Sequence, residues 1–239
     1  MASKQFLIDD HLTVRIYKRK SSRNLRLSIN STGEVRVSIP IWAPYSSGLT
    51  FAKSKYEWIK SQKRTPKLLI NKQSIGKAHH LVFIPTTSIK ISSRVVDNEI
   101  RVNHPINVDA SDETVQASAN KASIKALRTQ AEQLLPRRLS ELALLHGYQY
   151  RSVSIKRLKS RWGSCDQKSN IVLNLYLIQL PWELIDYVLL HELVHTKVMR
   201  HGPDFWRAMQ LEIPNLKSLK SKIKKYHPIL HGSLSEDVA

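Results

Sequence analysis

Between Trp182 and Thr196, apolar residues point in almost every direction around a helical wheel. Leu184, Ile185, Val188, Leu189, Leu190, Leu193 and Val194 leave little room for a solvated face. A helix of that kind has to be buried, so the rest of the chain must build a core around it. Into it are set His191, Glu192 and His195. At about 100° per residue the two histidines project from one face, one turn apart, and aim their rings at a common point. Two imidazoles and a carboxylate are costly to bury without partners, and a divalent cation serves all three together. The pattern His-Glu-x-x-His therefore reads as a metal site. Zinc is the expected ion, with Glu192 placed to act as general base on a zinc-bound water and not as a ligand. The plainer reading is a pair of core histidines bonded to backbone or to carboxylates.

A catalytic zinc takes three protein ligands and keeps one position open. His201 lies six residues beyond His195 and precedes Gly202 and Pro203, which should end the helix and turn the chain back toward the ion. Glu212, on the helix expected next, is its rival, because a downstream carboxylate is also a suitable zinc ligand. Asp204 fits better as a negative charge at a helix N-terminus.

The chain leading to this helix alternates in character. Leu12, Val14 and Ile16, then Leu25, Leu27 and Ile29, then Val35, Val37 and Ile39 have the period-two spacing of strands with one solvated face. Residues 30–33 supply a turn between the last two, and Pro40 and Pro44 end what reads as a meander. Residues 47–62 have helical spacing. Short β-prone runs return from 69 to 102, among them 81–84 and 89–91. The polar stretch 105–113 is the expected boundary between a β-rich region, 1–104, and a second region, 105–239, or else a surface loop in one continuous domain. Beyond it, 115–147 predicts a helix with Gly147 as its stop and Pro136 as a kink or restart. Strand-like runs at 153–158 and 171–177 bracket a turn at 163–170, and Pro181 opens the buried helix. The run Leu216, Leu219, Ile223 and Tyr226 gives a last helix. Its other faces carry Lys217, Lys220, Lys222, Lys224 and Lys225, a solvated surface also suited to drawing in an anionic substrate. His227 and His231 lie beyond it and read as surface residues.

Hydrophobic residues make up 41% and charged residues 24% of 239, so the chain is expected to fold. Lys and Arg number 38 against 19 Asp and Glu, a net charge of +19. That surplus keeps an anionic partner, nucleotide or nucleic acid, under consideration, although it is spread along the chain and forms no single block. The one cysteine, Cys165, excludes an internal disulfide and fits a reducing compartment. No leader-like or membrane-spanning apolar run is present, so the expectation is a cytoplasmic protein with no membrane partner.

With these residues in hand the chain resembles the YgjP-like metallopeptidases, in the wider SprT-like group of zincins. The resemblance rests on His191-Glu192-Leu193-Val194-His195, on His201-Gly202-Pro203-Asp204-Phe205-Trp206, and on Arg161-Trp162-Gly163-Ser164-Cys165 with Asn170 to Leu175. More weakly it takes in the β run from Val14 to Ile39 and Tyr56-Glu57-Trp58-Ile59. It implies an α+β fold, β-rich at the N-terminus with a minimal zincin part after it, and His201 as third zinc ligand. In that family pattern the run from Trp162 to Cys165 follows a strand beside the metal helix, where an edge strand can hold an extended peptide or protein substrate, which makes Trp162, Gly163 and Ser164 candidate substrate contacts; otherwise they form a packed turn. Phe205, Trp206 and Met209 are expected under the site as core, and Cys165 is not expected to ligate. The expected activity is zinc-dependent peptide hydrolysis through Glu192. The alternatives are hydrolysis of a nucleotide phosphoanhydride, a SprT-like protease that docks on nucleic acid, and a basic binding module with a structural metal. Four protein ligands would mark the last, and a Gly-rich phosphate loop would favour the first.

Overall fold

The computed structural model describes residues 3–9, 12–29, 34–62 and 68–230. The turn expected at 30–33 and His231 lie outside them. The chain forms two compact units, Met1–Lys67 and Leu68–Ala239. The polar stretch 105–113 lies within the second, as a link between a strand and a helix. The fold is α+β, built from small sheets and several helices.

In the first unit, strands β1 (Ser3–Asp9), β2 (Leu12–Arg19), β3 (Arg26–Ile29) and β4 (Val35–Pro40) form a sheet in the order β1-β2-β4-β3. It is not a meander, because β4 inserts beside β2 in parallel and pushes β3 to the edge. That register lets Val14, Ile16, Val35, Val37 and Ile39 share one fully buried layer, as their alternation requires. The single helix expected at 47–62 is two, α1 (Tyr45–Ser54) and α2 (Tyr56–Gln62), broken at Lys55. The break leaves both Ala52 and Ile59 in the core while the Tyr56 hydroxyl donates to Asp9.

The second unit opens with β5 (Ser74–Ile75), β6 (His79–Thr86), β7 (Ser92–Val96) and β8 (Glu99–Pro105), ordered β5-β6-β8-β7 with β6 and β8 parallel. Residues 89–91 are not a strand but part of the link into β7, and Ile89 is exposed. Helix α3 (Glu113–Leu145) follows for 33 residues, running on through Pro136. Asp112 caps its start by accepting from the Thr114 and Val115 amides. At its end Gly147 takes φ +66°, and the Tyr148 amide donates to the Ala143 carbonyl at 2.8 Å, closing the last turn.

A three-stranded sheet comes next: β9 (Ser152–Lys156), β10 (Gly163–Cys165) and β11 (Asn170–Asn174), in the order β10-β11-β9. The expected turn at 163–170 thus begins with a strand, antiparallel to β11 and at the sheet edge. The strand run expected to reach 177 stops at Asn174, whose side chain accepts from the Tyr176 amide and starts a 3-10 turn, Leu175–Gln179. Helices α4 (Trp182–His195), α5 (Pro203–Glu212) and α6 (Leu216–Ile223) complete the unit. As its sequence demands, α4 is enclosed, with Ile185, Leu189, Leu193 and Val194 at zero exposure. Among the described residues no helix is long and apolar enough to cross a membrane.

Candidate metal centre

His191 and His195 stand one turn apart on α4. The chain then turns at Thr196 to Gly202, and Gly202 caps α5. That turn returns His201 to the same place. The three Nε2 atoms form a near-equilateral triangle: 3.2 Å from His195 to His191, 3.0 Å from His195 to His201, and 3.0 Å from His201 to His191.

Hydrogen bonding alone does not account for that triangle. Each neutral Nε2 is either a donor or an acceptor, so among three at least two are alike and one side sets like roles against each other. For His195 the role is fixed. Its Nδ1 lies 3.1 Å from the Val198 carbonyl, which can only accept, so Nδ1 carries the proton and Nε2 offers a lone pair. Protonation is opposed as well. Burial, then the neighbouring histidines and Lys220, push His191 down to about 3, and burial also lowers His195. Three imidazoles converging on one point form a donor set that could hold a transition-metal ion. Ligands of a tetrahedral zinc, at about 2.0–2.1 Å from the ion, stand roughly 3.3 Å from one another, so the observed spacing fits.

Phe205 forms the floor. It is fully buried, stacked on His195 at 4.5 Å between centroids and edge-on to His191 and His201 at 4.9 and 4.7 Å. Met209, one turn on, is buried beneath it, whereas Trp206 is only half-buried and stacks on His201 at 5.9 Å. Phe205 and Met209 are core, as expected, and Trp206 flanks the triad.

Glu192 is 4% exposed and its Oε2 has no hydrogen-bond partner in the protein. Burial pushes its carboxyl up to about 8, against the pull of Arg161. What buries it is β10. A Cβ built on Gly163 would lie 2.7 Å from Glu192 Oε1 and 2.9 Å from Cγ, so only glycine lets the strand run against the carboxylate. The residues entering β10 are pinned by Asn174. Its amide nitrogen donates to the Leu158 and Arg161 carbonyls at 2.9 and 2.8 Å, and its backbone N–H donates to Trp162 at 2.8 Å.

Of the residues singled out in the sequence, His191, His195, His201, Glu192 and Gly163 meet here. Ser164 pairs with Val172 along β10, and Trp162 packs on the core just before the strand. Burial, with Glu192 and Asp166 nearby, pushes the Cys165 thiol up to about 11. Glu212, the rival ligand, is held elsewhere: His146 lies 2.6 Å from one oxygen and the Tyr148 hydroxyl donates to the other at 2.8 Å. Asp204 pairs with Arg207 on the first turn of α5. Three contacts were not expected: the Arg161 charge beside Glu192, the Asn174 hub and the seating of Lys220 on Trp206. The runs at 161–165 and 170–175 and the lysine-rich last helix marked the residues but not their partners.

The family model described as a YgjP-like metallopeptidase domain matches residues 23–226. Two solved structures are similar over part of the chain. The metallopeptidase zymogen abylysin of Pyrococcus abyssi is 26% identical, with 38% of this chain and 93% of that one covered at a TM-score of 0.35. The metallopeptidase zymogen jannalysin of Methanocaldococcus jannaschii is 22% identical, with 38% and 94% covered and the same TM-score. No curated protein matches the chain.

Proposed function

Taking as premise that the chain belongs to the YgjP-like metallopeptidase family, we propose that His191, His195 and His201 hold a zinc ion and that Glu192 is the general base of peptide hydrolysis. The protein is a hydrolase of metallopeptidase type, which suggests a peptide or protein substrate.

The observation that carries the reading is the Nε2 triangle with a buried carboxylate next to it in sequence. An all-imidazole donor set suits zinc, whereas magnesium and calcium prefer oxygen ligands. Bound there, zinc supplies a Lewis acid for the scissile carbonyl and lowers the pKa of water. The chain's own residues do the rest. His195 is held in the ligating tautomer by the Val198 carbonyl. Glu192, kept dry by Gly163, accepts a proton from the attacking water and hands it to the leaving amine. Trp162, Gly163 and Ser164, at a sheet edge, offer backbone groups for an extended peptide. A cytoplasmic setting belongs to the same reading, supported by the single Cys165.

The test is metal content of the purified protein and of His191→Ala, followed by turnover of casein and of nucleoside triphosphates with and without Glu192→Gln. About one zinc per chain, lost in His191→Ala, with casein cleavage lost in Glu192→Gln, is the expected result. Zinc retained by His191→Ala sinks the ligand assignment. Glu192-dependent release of phosphate from nucleotides, without casein cleavage, replaces the peptidase by phosphoanhydride hydrolysis.

A further inference from the structure

The lysines on and beside α6 are not equivalent. Lys222 is occupied, with its Nζ 2.9 Å from the Glu183 carboxylate. Lys220 is placed differently: its ammonium lies 3.4 Å from the centroid of the Trp206 ring. That ring is itself stacked on His201, 28° from parallel, and tilted against His191 at 6.4 Å. Among the described residues no carboxylate pairs with Lys220. The acids of α5 and of the triad helix beside it are committed elsewhere: Asp204 to Arg207, Glu212 to His146 and Tyr148, and Glu192 under Gly163.

An aromatic face holding a lysine has two consequences. The cation–π contact fixes a side chain that would otherwise sweep through solvent, so less rotamer entropy is lost when it meets a ligand. It also keeps a positive charge beside a cluster built for a cation, which is unfavourable until an anion arrives. A fixed, unpaired ammonium flanking the triad is therefore a ready acceptor for a negative group on whatever occupies the site.

We propose that Lys220 is a specificity-determining residue that pairs with a carboxylate of the peptide substrate, so that the protein favours acidic peptides. This rests on the peptidase reading above. The carboxylate has two sources in a peptide, an acidic side chain or the free C-terminus, and the chemistry Lys220 offers is the same for both.

The experiment uses the metal-loaded full chain and pairs of fluorogenic peptides. One series carries Glu or Gln at each position around the cleaved bond; a second ends in a free acid or an amide. The acidic member should be preferred about threefold to tenfold in kcat/KM, the range expected of a partly exposed ion pair. In Lys220→Met, whose flexible thioether still covers Trp206, the ratio should fall to about one, and in Lys220→Glu it should invert. The series that shows the effect identifies the source of the carboxylate. Equal turnover of both members by the wild type, or a ratio that persists in Lys220→Met, overturns the proposal. If no peptide is cleaved, the peptidase reading fails, and binding decides the proposal separately. Anisotropy titrations of the same peptides onto Glu192→Gln, with and without Lys220→Met, must show a Lys220-dependent preference for the acidic member, and its absence overturns the proposal.

Discussion

Adding one methyl group at Gly163 tests how tightly the Glu192 carboxylate, the proposed general base, is set. The Cβ of Gly163→Ala would fall 2.7 Å from Glu192 Oε1, 2.9 Å from Cγ and 3.0 Å from Cδ. Ordinary contacts begin near 3.5 Å, so something must give by roughly 0.5–0.8 Å. Glu192 is 4% exposed and has no solvent to swing into, and β10 is held by its ladder to β11 and by Asn174. The strain divides between an off-rotamer carboxylate, about 0.5–1.5 kcal/mol, and a displaced strand. Overpacking of this size costs about 1–3 kcal/mol of stability in total, or roughly 2–12 °C in melting temperature for a chain of this length. The catalytic effect is larger, because misplacing a reacting group by about 1 Å costs on the order of a hundredfold. Gly163→Ala should therefore bind zinc as the wild type does, melt somewhat lower and lose about tenfold to a hundredfold in kcat on casein. Metal content, a thermal melt and turnover at saturating substrate measure the three. A variant that melts lower but keeps wild-type kcat would refute the idea that this contact sets the carboxylate.

Two further outcomes follow from the packing around the site. Phe205→Ala opens a cavity beneath all three histidines and should cost about 3–5 kcal/mol, whereas Phe205→Leu should recover most of that stability yet still bind zinc more weakly, as a chelator titration would show. The Cys165 thiol, pushed up to about 11, should react with iodoacetamide near pH 7.5 roughly two orders of magnitude more slowly than an ordinary cysteine, with a rate that rises about tenfold per pH unit toward 11. A fast, pH-independent reaction at neutral pH would contradict the burial of that thiol.

What the sequence discloses of this molecule is what depends on local spacing. The buried character of α4, the stacking of His191 over His195 and the return of the chain at Gly202 are consequences of residues a few positions apart, and they were legible. So was the long helix, with Gly147 as its stop, although its Asp112 cap was not. Strand pairing was not, because alternation marks a face but not a neighbour; β2 and β4 have the same pattern whether parallel or antiparallel. The strand at Gly163 was obscured by its shortness and by turn-forming residues around it. Nothing in the order of residues says that Asn174 bonds back to Leu158 and Arg161, or that Lys220 reaches Trp206. Those contacts join segments that only tertiary packing brings together.

All three rings of the triad come from residues 191–201, a single joint between α4 and α5. An ion held there closes a very small loop, so it gains little from restraining the unfolded chain as a whole. Its mechanical effect is confined to the hinge between two helices, and α4 remains anchored by its own apolar surface when the ion is withdrawn. Chelation should then raise hydrogen exchange in the link from Thr196 to Gly202 and the first turn of α5, while the amides of α3 and the interior of α4 stay protected. The joint would then act as a latch on α5, and on loss of the metal the rest of the scaffold should stay ready to be reloaded.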